Sequence, residues 1–271
     1  MKQLAVLGSP VAQALSPVLH RAAYQAMGLD WAYHAIECLP EELPGFLHGL
    51  DGSWAGLSLT MPLKRAVLPL LDDASETVRQ TGTANTIVVH HGRLLGDNTD
   101  LHGMLQALRE AGVTSATSVT VIGAGATAGT ALAAARHLGC HHAHVIARNP
   151  DRADHLLNAA ERIEIRAGVR SWATASDHLS AGLVISAVPP GAADHLAPHW
   201  PRGAGAFLDV VYQPWPTPCA VAARNAGRTV ISGLPMLVHQ AARQVVLQTG
   251  QPRAPYADML RAANEALTTA P

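Results

Sequence analysis

Lys64 is the residue whose type is hardest to explain from composition alone. The chain carries two lysines, Lys2 and Lys64, against seventeen arginines. An arginine stays protonated at any useful pH, whereas an ammonium can be tuned by its surroundings and can pass a proton. Lys64 closes the run Gly56-Leu57-Ser58-Leu59-Thr60-Met61-Pro62-Leu63-Lys64. Other polar residues fall at comparable places: Ser16 after a glycine turn, Asn85 within Thr83-Ala84-Asn85-Thr86, and Asp100 at the end of Asp97-Asn98-Thr99-Asp100. An amide can orient a hydroxylated ligand, and a lysine beside an aspartate can deliver and recover a proton on an alcohol or carbonyl oxygen. Plainer readings stand beside these, with Lys64 as a surface cation and Asp100 as a helix cap.

A second constellation lies in the middle of the chain. Val119-Thr120-Val121-Ile122 leads into Gly123-Ala124-Gly125-Ala126-Thr127-Ala128, followed by an alanine-rich helix pattern. This is G-x-G-x-x-A between a strand and a helix, the context in which that spacing binds a dinucleotide. Gly123 permits the tight turn, Gly125 lets the backbone approach a pyrophosphate, and the small Ala128 permits close helix–strand packing. The phosphates then meet the free N–H groups of the helix start at Ala126. The next strand runs into Arg148-Asn149-Pro150-Asp151-Arg152. NAD binding calls for a carboxylate at that strand end, to hold the ribose hydroxyls. Arg148, with Asn149 beside it and Arg152 one turn later, suits a 2′-phosphate instead. NADP is therefore the expected cofactor.

The elements that must position these residues alternate along the chain. Strands are expected at Leu4–Leu7, Trp31–Ile36 and Gly56–Leu59, with helices opening at Ser16-Pro17 and spanning 40–50. Ser16 reads as the N-cap of the first helix, whose apolar positions are 18, 19, 22, 23 and 26. Thr86–Val89 and Leu94-Leu95 read as a hairpin closed through His90-His91-Gly92-Arg93. From residue 101 the pattern is helix 101–112, strand 118–122, helix 126–138, strand 143–147, helix 151–160, then strands 182–187, 206–211 and 228–231. That alternation predicts an α/β fold with a parallel sheet covered on both faces. Helices over 234–249 and 255–269 close the chain. The expected domains are 1–100 for substrate binding and catalysis, with 234–271 packing back on it, and 101–233 for the dinucleotide.

Composition excludes several alternatives. Hydrophobic residues make up 48% and charged residues 14%, with a formal net charge of −1, so neither nucleic acid nor an anionic membrane surface is an expected partner. No apolar run is long enough to span a bilayer, and the N-terminus reads as a strand, not a signal peptide. Cys38, Cys140 and Cys219 have no paired spacing, which suits reduced thiols in a cytoplasmic protein. The fifteen histidines show no metal-binding spacing.

Six ordered motifs resemble the shikimate dehydrogenase family over essentially the whole chain. They are Gly8-Ser9-Pro10 with Leu15-Ser16-Pro17-x-x-His20, Leu59-Thr60-x-Pro62-x-Lys64, Gly82-x-Ala84-Asn85-Thr86, Asn98-Thr99-Asp100-x-x-Gly103, Asp209-x-x-Tyr212-x-Pro214-x-x-Thr217-Pro218 and Gly233-x-x-Met236-Leu237-x-x-Gln240-Ala241. The resemblance implies an N-terminal α/β substrate domain, a Rossmann-like NADP domain and a closable cleft between them. It implies Lys64 and Asp100 as the catalytic pair. Ser16, Ser58, Thr60, Asn85, Tyr212 and Gln240 are implied around the substrate, Gly233 near the nicotinamide, and Arg148 and Arg152 on the adenosine phosphate. The implied reaction is reversible reduction of 3-dehydroshikimate to shikimate.

Three positions depart from the family pattern. Ala14 stands where a first carboxylate-binding serine is usual, with Gln13 as a substitute amide donor. Ser58 stands where asparagine is common, and Ser186-Ala187-Val188-Pro189 where Asn-x-Thr-Ser is usual. A lost hydrogen bond to a charged group costs about 1.5–3 kcal/mol, so the substrate grip is where this chain is expected to differ. Quinate or an amino-substituted shikimate is the alternative substrate, and a ligand-binding regulator without turnover the remote one. The partner is a small ring hydroxy acid, and the protein is expected as a monomer or homodimer.

Overall fold

The computed structural model describes residues 1–269. The chain divides into two compact units, one of Met1–Gly103 with the segment from Leu237 onward, the other of Met104–Met236. In chain order the first unit begins with β1 (Lys2–Gly8), α1 (Ser16–Ala26), β2 (Trp31–Glu37), α2 (Leu43–His48), β3 (Trp54–Leu59), α3 (Leu63–Ala66), β4 (Asp73–Ala74), α4 (Glu76–Thr81), β5 (Thr86–His90) and β6 (Arg93–Asp97). The chain passes to the second unit within α5 (Asp100–Glu110), and that unit contains β7 (Val119–Ile122), α6 (Ala126–His137), β8 (His142–Ala147), α7 (Asp154–Ile163), β9 (Arg166–Ser171), β10 (Leu183–Ser186), β11 (Ala206–Asp209), α8 (Pro218–Asn225) and β12 (Thr229–Ile231). It returns within α9 (Gly233–Thr249) and ends with α10 (Tyr256–Thr269). No helix among the described residues is long and apolar enough to cross a membrane.

The first unit is built on a mixed sheet of order β2-β1-β3-β5-β6-β4. The neighbours β2 and β3 run parallel to β1, while β3, β5 and β6 are antiparallel in turn. β1 is buried along nearly its whole length, which explains why its core is a continuous apolar run without alternation. Its alternate residues Ala5 and Leu7 join Leu57, Leu59 and Ile87 in a core with Leu43, Leu47, Leu63 and Val78 of α2, α3 and α4. α1 packs against α10. The β5–β6 hairpin forms where expected, through His91 and Gly92 at positive φ, the geometry a two-residue hairpin turn requires.

The second unit is a parallel sheet of order β12-β11-β10-β7-β8-β9. Counted from β7 as the first strand, that is the 3-2-1-4-5-6 order of a dinucleotide-binding fold. Its strands are short and fully buried at β7, β10 and β11.

Several local expectations differ from what forms. Ser16 is the first helical residue of α1 and not its cap; Leu15 holds the cap position without a side-chain bond. Apolar spacing points to Val18 and Ala22 as core, yet the buried face is Ser16, Leu19, His20, Ala23 and Tyr24. The helix expected over 40–50 forms only from Leu43 to His48, and 151–160 splits into a 3₁₀ turn (Pro150–Arg152) followed by α7. β9 is an edge strand of sequence Arg-Ala-Gly-Val-Arg-Ser with exposed ends, so it carries charge and little of the apolar pattern that marks a strand. α4 and α8 carry no strong helical periodicity; each starts on a side-chain cap, Ser75 accepting from Val78 N–H and Thr217 from Ala220 N–H.

Candidate active site

Lys64 is brought into position by the turn after β3. Thr60 N–H donates to Leu7 O and Thr60 O accepts from Leu63 N–H, which starts the short α3 with Lys64 in its first turn. Lys64 O accepts from Ala84 N–H at 2.8 Å, tying that turn to the approach to β5. Asn85 follows directly, anchored through its own N–H to Asp97 O and through its carbonyl to Leu59 N–H. Asp100 opens α5. Its backbone N–H donates to Asn98 Oδ1, and Asn98 is itself pinned through Nδ2 to Thr81 and Thr83 hydroxyls. The local capping acceptor is therefore Asn98, which leaves the Asp100 carboxylate for other partners.

Those partners are Lys64 and Asn85. Lys64 Nζ lies 2.5 Å from Asp100 Oδ2, and Asn85 Nδ2 donates to Asp100 Oδ1 at 2.8 Å. The two side chains are only 17% and 9% exposed, so their attraction is far less screened than that of a surface pair. Asn85 Nδ2 also reaches Thr99 Oγ1 at 3.0 Å and Gln240 Oε1 at 3.1 Å, while Asn85 Oδ1 accepts from Thr86 Oγ1 and Thr99 N–H. Lys64, Asn85, Asp100 and Gln240 thus form one hydrogen-bonded group. Thr60 remains half-buried in the turn before it.

Beneath that group lies a layer of which the sequence assigned a role only to Ser58. Gln244, one helical turn beyond Gln240, donates through Nε2 to Asn85 O and Thr86 Oγ1. Its Oε1 meets Ser58 Oγ at 3.0 Å and His20 Nε2 at 3.2 Å. The Tyr33 hydroxyl bonds Ser58 Oγ at 2.7 Å, and the Tyr33 ring stacks on His20 at 4.1 Å between centroids. Ser58 is 3% exposed, and its hydroxyl is already engaged by Tyr33 and Gln244. Burial drives the His20 imidazole down to about 3, the bond to Gln244 opposing it, so His20 is neutral. Burial also pushes the Tyr33 phenol up, with bonds to Ser58 and Ser16 pulling the other way. A signal for this layer exists in the sequence: Gln240, Gln244 and Gln248 recur every fourth residue, one polar line along a largely apolar helix.

The second unit carries the other set. Gly123 follows β7 with φ of 113°, and a Cβ there would lie 2.8 Å from Ala187 O, so only glycine fits this crossing between β7 and the end of β10. In the 3-2-1-4-5-6 order, that gap between β7 and β10 is the point where the strand order reverses, the place where folds of this order bind a nucleotide. Gly125 caps α6 with no side chain in the way, Ala126 opens the helix and Ala128 is fully buried in it. Arg148 and Asn149 follow β8, Arg152 lies in the 3₁₀ turn after it, and all three are exposed. Tyr212 follows β11, and burial raises its phenol. Gly233 is required by packing, since a Cβ there would sit 2.0 Å from Val210 O. Asp209 accepts from Thr217 Oγ1 at 2.9 Å, which joins the ends of the Asp209–Thr217 motif.

Comparison with known proteins identifies the lineage. A model of the shikimate dehydrogenase substrate-binding domain matches residues 6–87. The NADP(+) shikimate dehydrogenase of Moorella thermoacetica is 36% identical over 97% of this chain and 93% of its own. Among solved structures, Mycobacterium tuberculosis shikimate dehydrogenase shares 38% identity with a TM-score of 0.86, covering 98% of this chain and 100% of that one. The Thermus thermophilus enzyme, solved with NADP(H) and shikimate, shares 37% with a TM-score of 0.86 over the same proportions. The chain belongs to the shikimate dehydrogenase family.

Within that family the three departures acquire surroundings. Ala14 lies in a turn where its own N–H donates to Val11 O, and Gln13 beside it is exposed. Ser58 is part of the internal layer described above. Ser186 ends β10, and Ala187 O is the atom against which Gly123 packs.

Proposed function

We propose that this shikimate dehydrogenase family member is an NADP-dependent oxidoreductase that reversibly reduces 3-dehydroshikimate to shikimate. The observation that carries the reading is the Lys64–Asp100 pair, held by Asn85 and shielded from solvent. Relatives at 36–38% identity named for shikimate, two of them also for NADP, support it. The same names make quinate or an amino-shikimate the less favoured substrate.

The residues of the second unit fit the cofactor. The start of α6 after Gly125 offers N–H groups to a pyrophosphate, and Gly123, its own N–H bonded to Ile146 O, sits in a crossing that a side chain would fill. Arg148, Asn149 and Arg152 are exposed cations and an amide suited to a 2′-phosphate. NADPH supplies the hydride when bound. Lys64 gives its proton to the ring ketone oxygen as that oxygen gains charge, and takes it back in the reverse direction. Asp100 keeps the ammonium aimed and balances its charge. Asn85, Thr60 and Gln240 hold the substrate hydroxyls and the carboxylate side, and Ser16 and Tyr212 are also assigned to the substrate. Ser58, with its hydroxyl already engaged, acts on that side through Tyr33 and Gln244.

The direct test follows absorbance of the reduced cofactor with shikimate, quinate and an amino analogue, each with NADP or NAD. Turnover of shikimate with NADP, faster than any other pairing, is expected. Faster turnover with NAD would remove the arginine assignment, and no turnover of any ring acid would restore the regulator reading.

A further inference from the structure

We propose that Gln244 is a positioning residue that helps hold the orientation of Asn85, and so of the Lys64–Asp100 pair. The inference rests on the proposed catalytic reading of that pair. It concerns a side chain with no place in the motifs that carry the family resemblance.

Donor and acceptor chemistry fixes the direction of each bond in turn. Gln244 contacts Asn85 O, a backbone carbonyl that can only accept, so the atom facing it is the NH₂ group. The carbonyl end, Oε1, must then face His20 and Ser58 and accept from both. His20 consequently carries its proton on Nε2, and its Nδ1 accepts from the Tyr24 hydroxyl at 3.2 Å. Ser58 has committed its proton to Gln244, so Tyr33 donates to Ser58. Every member is therefore fixed in direction by the neighbour before it.

The direction passes on to Asn85. Thr86 accepts from Gln244 Nε2, so its own proton goes to Asn85 Oδ1 at 2.7 Å. With Thr99 N–H on the same oxygen, the Asn85 carboxamide can only point its NH₂ toward Asp100 and Gln240. A flipped Asn85 would set a carbonyl oxygen against the Asp100 carboxylate. Gln244 reinforces that orientation from behind: through Thr86 it adds a second donor to the oxygen that Thr99 N–H already holds, and through Asn85 O it anchors the residue's backbone. Gln248, one turn further, is also buried, and among the described residues its carboxamide bonds Leu57 O and Ile87 O of the sheet. It provides an internal control for helix packing.

The experiment compares Gln244→Met with Gln248→Met. Both remove a buried carboxamide at similar volume. Gln244→Met is expected to lower kcat by about tenfold to a hundredfold, the scale of a small misplacement of catalytic groups, with KM for NADP unchanged. In the nitrogen-15 spectrum of the free protein, the Asn85 side-chain amide should lose its protection from exchange. Gln248→Met should lower the melting temperature and leave kcat and the Asn85 amide as they are. Near-normal kcat in Gln244→Met overturns the proposal, as does a loss that Gln248→Met reproduces or that NADP affinity shares. If Gln244→Met does not fold, Thr86→Val breaks the same link one residue later and is judged by the same readings. Wild-type protein inactive on shikimate would overturn the proposed function; the Asn85 amide would then decide the positioning role by itself.

Discussion

The two units are both α/β, yet they hold their chemistry by opposite means. The second presents bare backbone: a glycine crossing, a helix start free of side chains and two exposed arginines. The first presents buried carboxamides, hydroxyls and one ion pair, nearly all bonded to one another. Phosphates suit bare backbone, because N–H groups at a helix start are fixed by the fold itself. A proton transfer needs the bonded network, because a side chain must be aimed and must stay aimed.

The sharpest way to break this contrast is Lys64→Ala. Loss of a positioned acid–base group costs about 10²–10⁴-fold in turnover, and that is the expected fall in kcat for shikimate oxidation. NADP affinity, measured by calorimetry, should be unaffected, since its proposed residues lie in the other unit. Turnover within a few-fold of wild type would end the proton-transfer assignment for Lys64.

Next comes the pH dependence of stability in the first unit. His20 titrates at about 3 when folded against an ordinary 6.5. Its folded value is depressed, so the unfolded chain binds the proton first. The stabilisation is complete above 6.5 and is lost as pH falls from there toward 3. By pH 5 the loss from this group is about 2 kcal/mol, readable by urea unfolding at pH 7 and 5. His20→Gln should flatten that slope. An unchanged slope would mean that His20 is not the group responsible.

The same contrast explains what the sequence discloses. The glycine spacing is legible because residue type there answers a local need, positive φ at Gly123 where a Cβ would meet Ala187 O. Lys64, Asn85 and Asp100 are legible as a set because each stands at the edge of an element: Lys64 in the first turn of α3, Asn85 just before β5 and Asp100 at the start of α5. The Gln244 layer is not, although its four-residue spacing stands in plain view. Gln244 meets Thr86 and Asn85 from 158 and 159 residues away, and no local pattern carries a contact of that span. Polar His20 and Tyr24 likewise displace Val18 and Ala22 from the buried face of α1, because hydrogen bonds, one of them from a distant element, satisfy them. β9 escapes notice for the converse reason, being an exposed edge with no apolar face to announce it.

The nucleotide side is sharpened by Arg148→Ala, with a smaller effect. An exposed guanidinium on a phosphate is partly replaced by water and by Arg152. About tenfold weaker NADP binding is expected, from a charged hydrogen bond of roughly 1.5 kcal/mol at the low end of its range. NAD binding should not change, because it offers no 2′-phosphate. Equal losses for both cofactors would show that Arg148 supports the fold of the loop and does not read the phosphate.

The smallest effect belongs to Ala14→Ser, and its sign matters more than its size. The residue lies in a turn held by its own backbone, Ala14 N–H to Val11 O, so a serine there can be accommodated without disturbing the core. A restored hydroxyl would add a donor for the substrate carboxylate. Ser16 and Ser58, however, are already coupled through Tyr33. The gain should therefore approach that of an ordinary hydrogen bond, about 0.5–1.5 kcal/mol, or roughly two- to tenfold in KM for shikimate. kcat should be unmoved, because the carboxylate lies away from the reacting oxygen. A KM that rises on adding the serine would mean that the Tyr33-centred arrangement already fills the role, and that Ala14 is an adaptation to it and not a deficit.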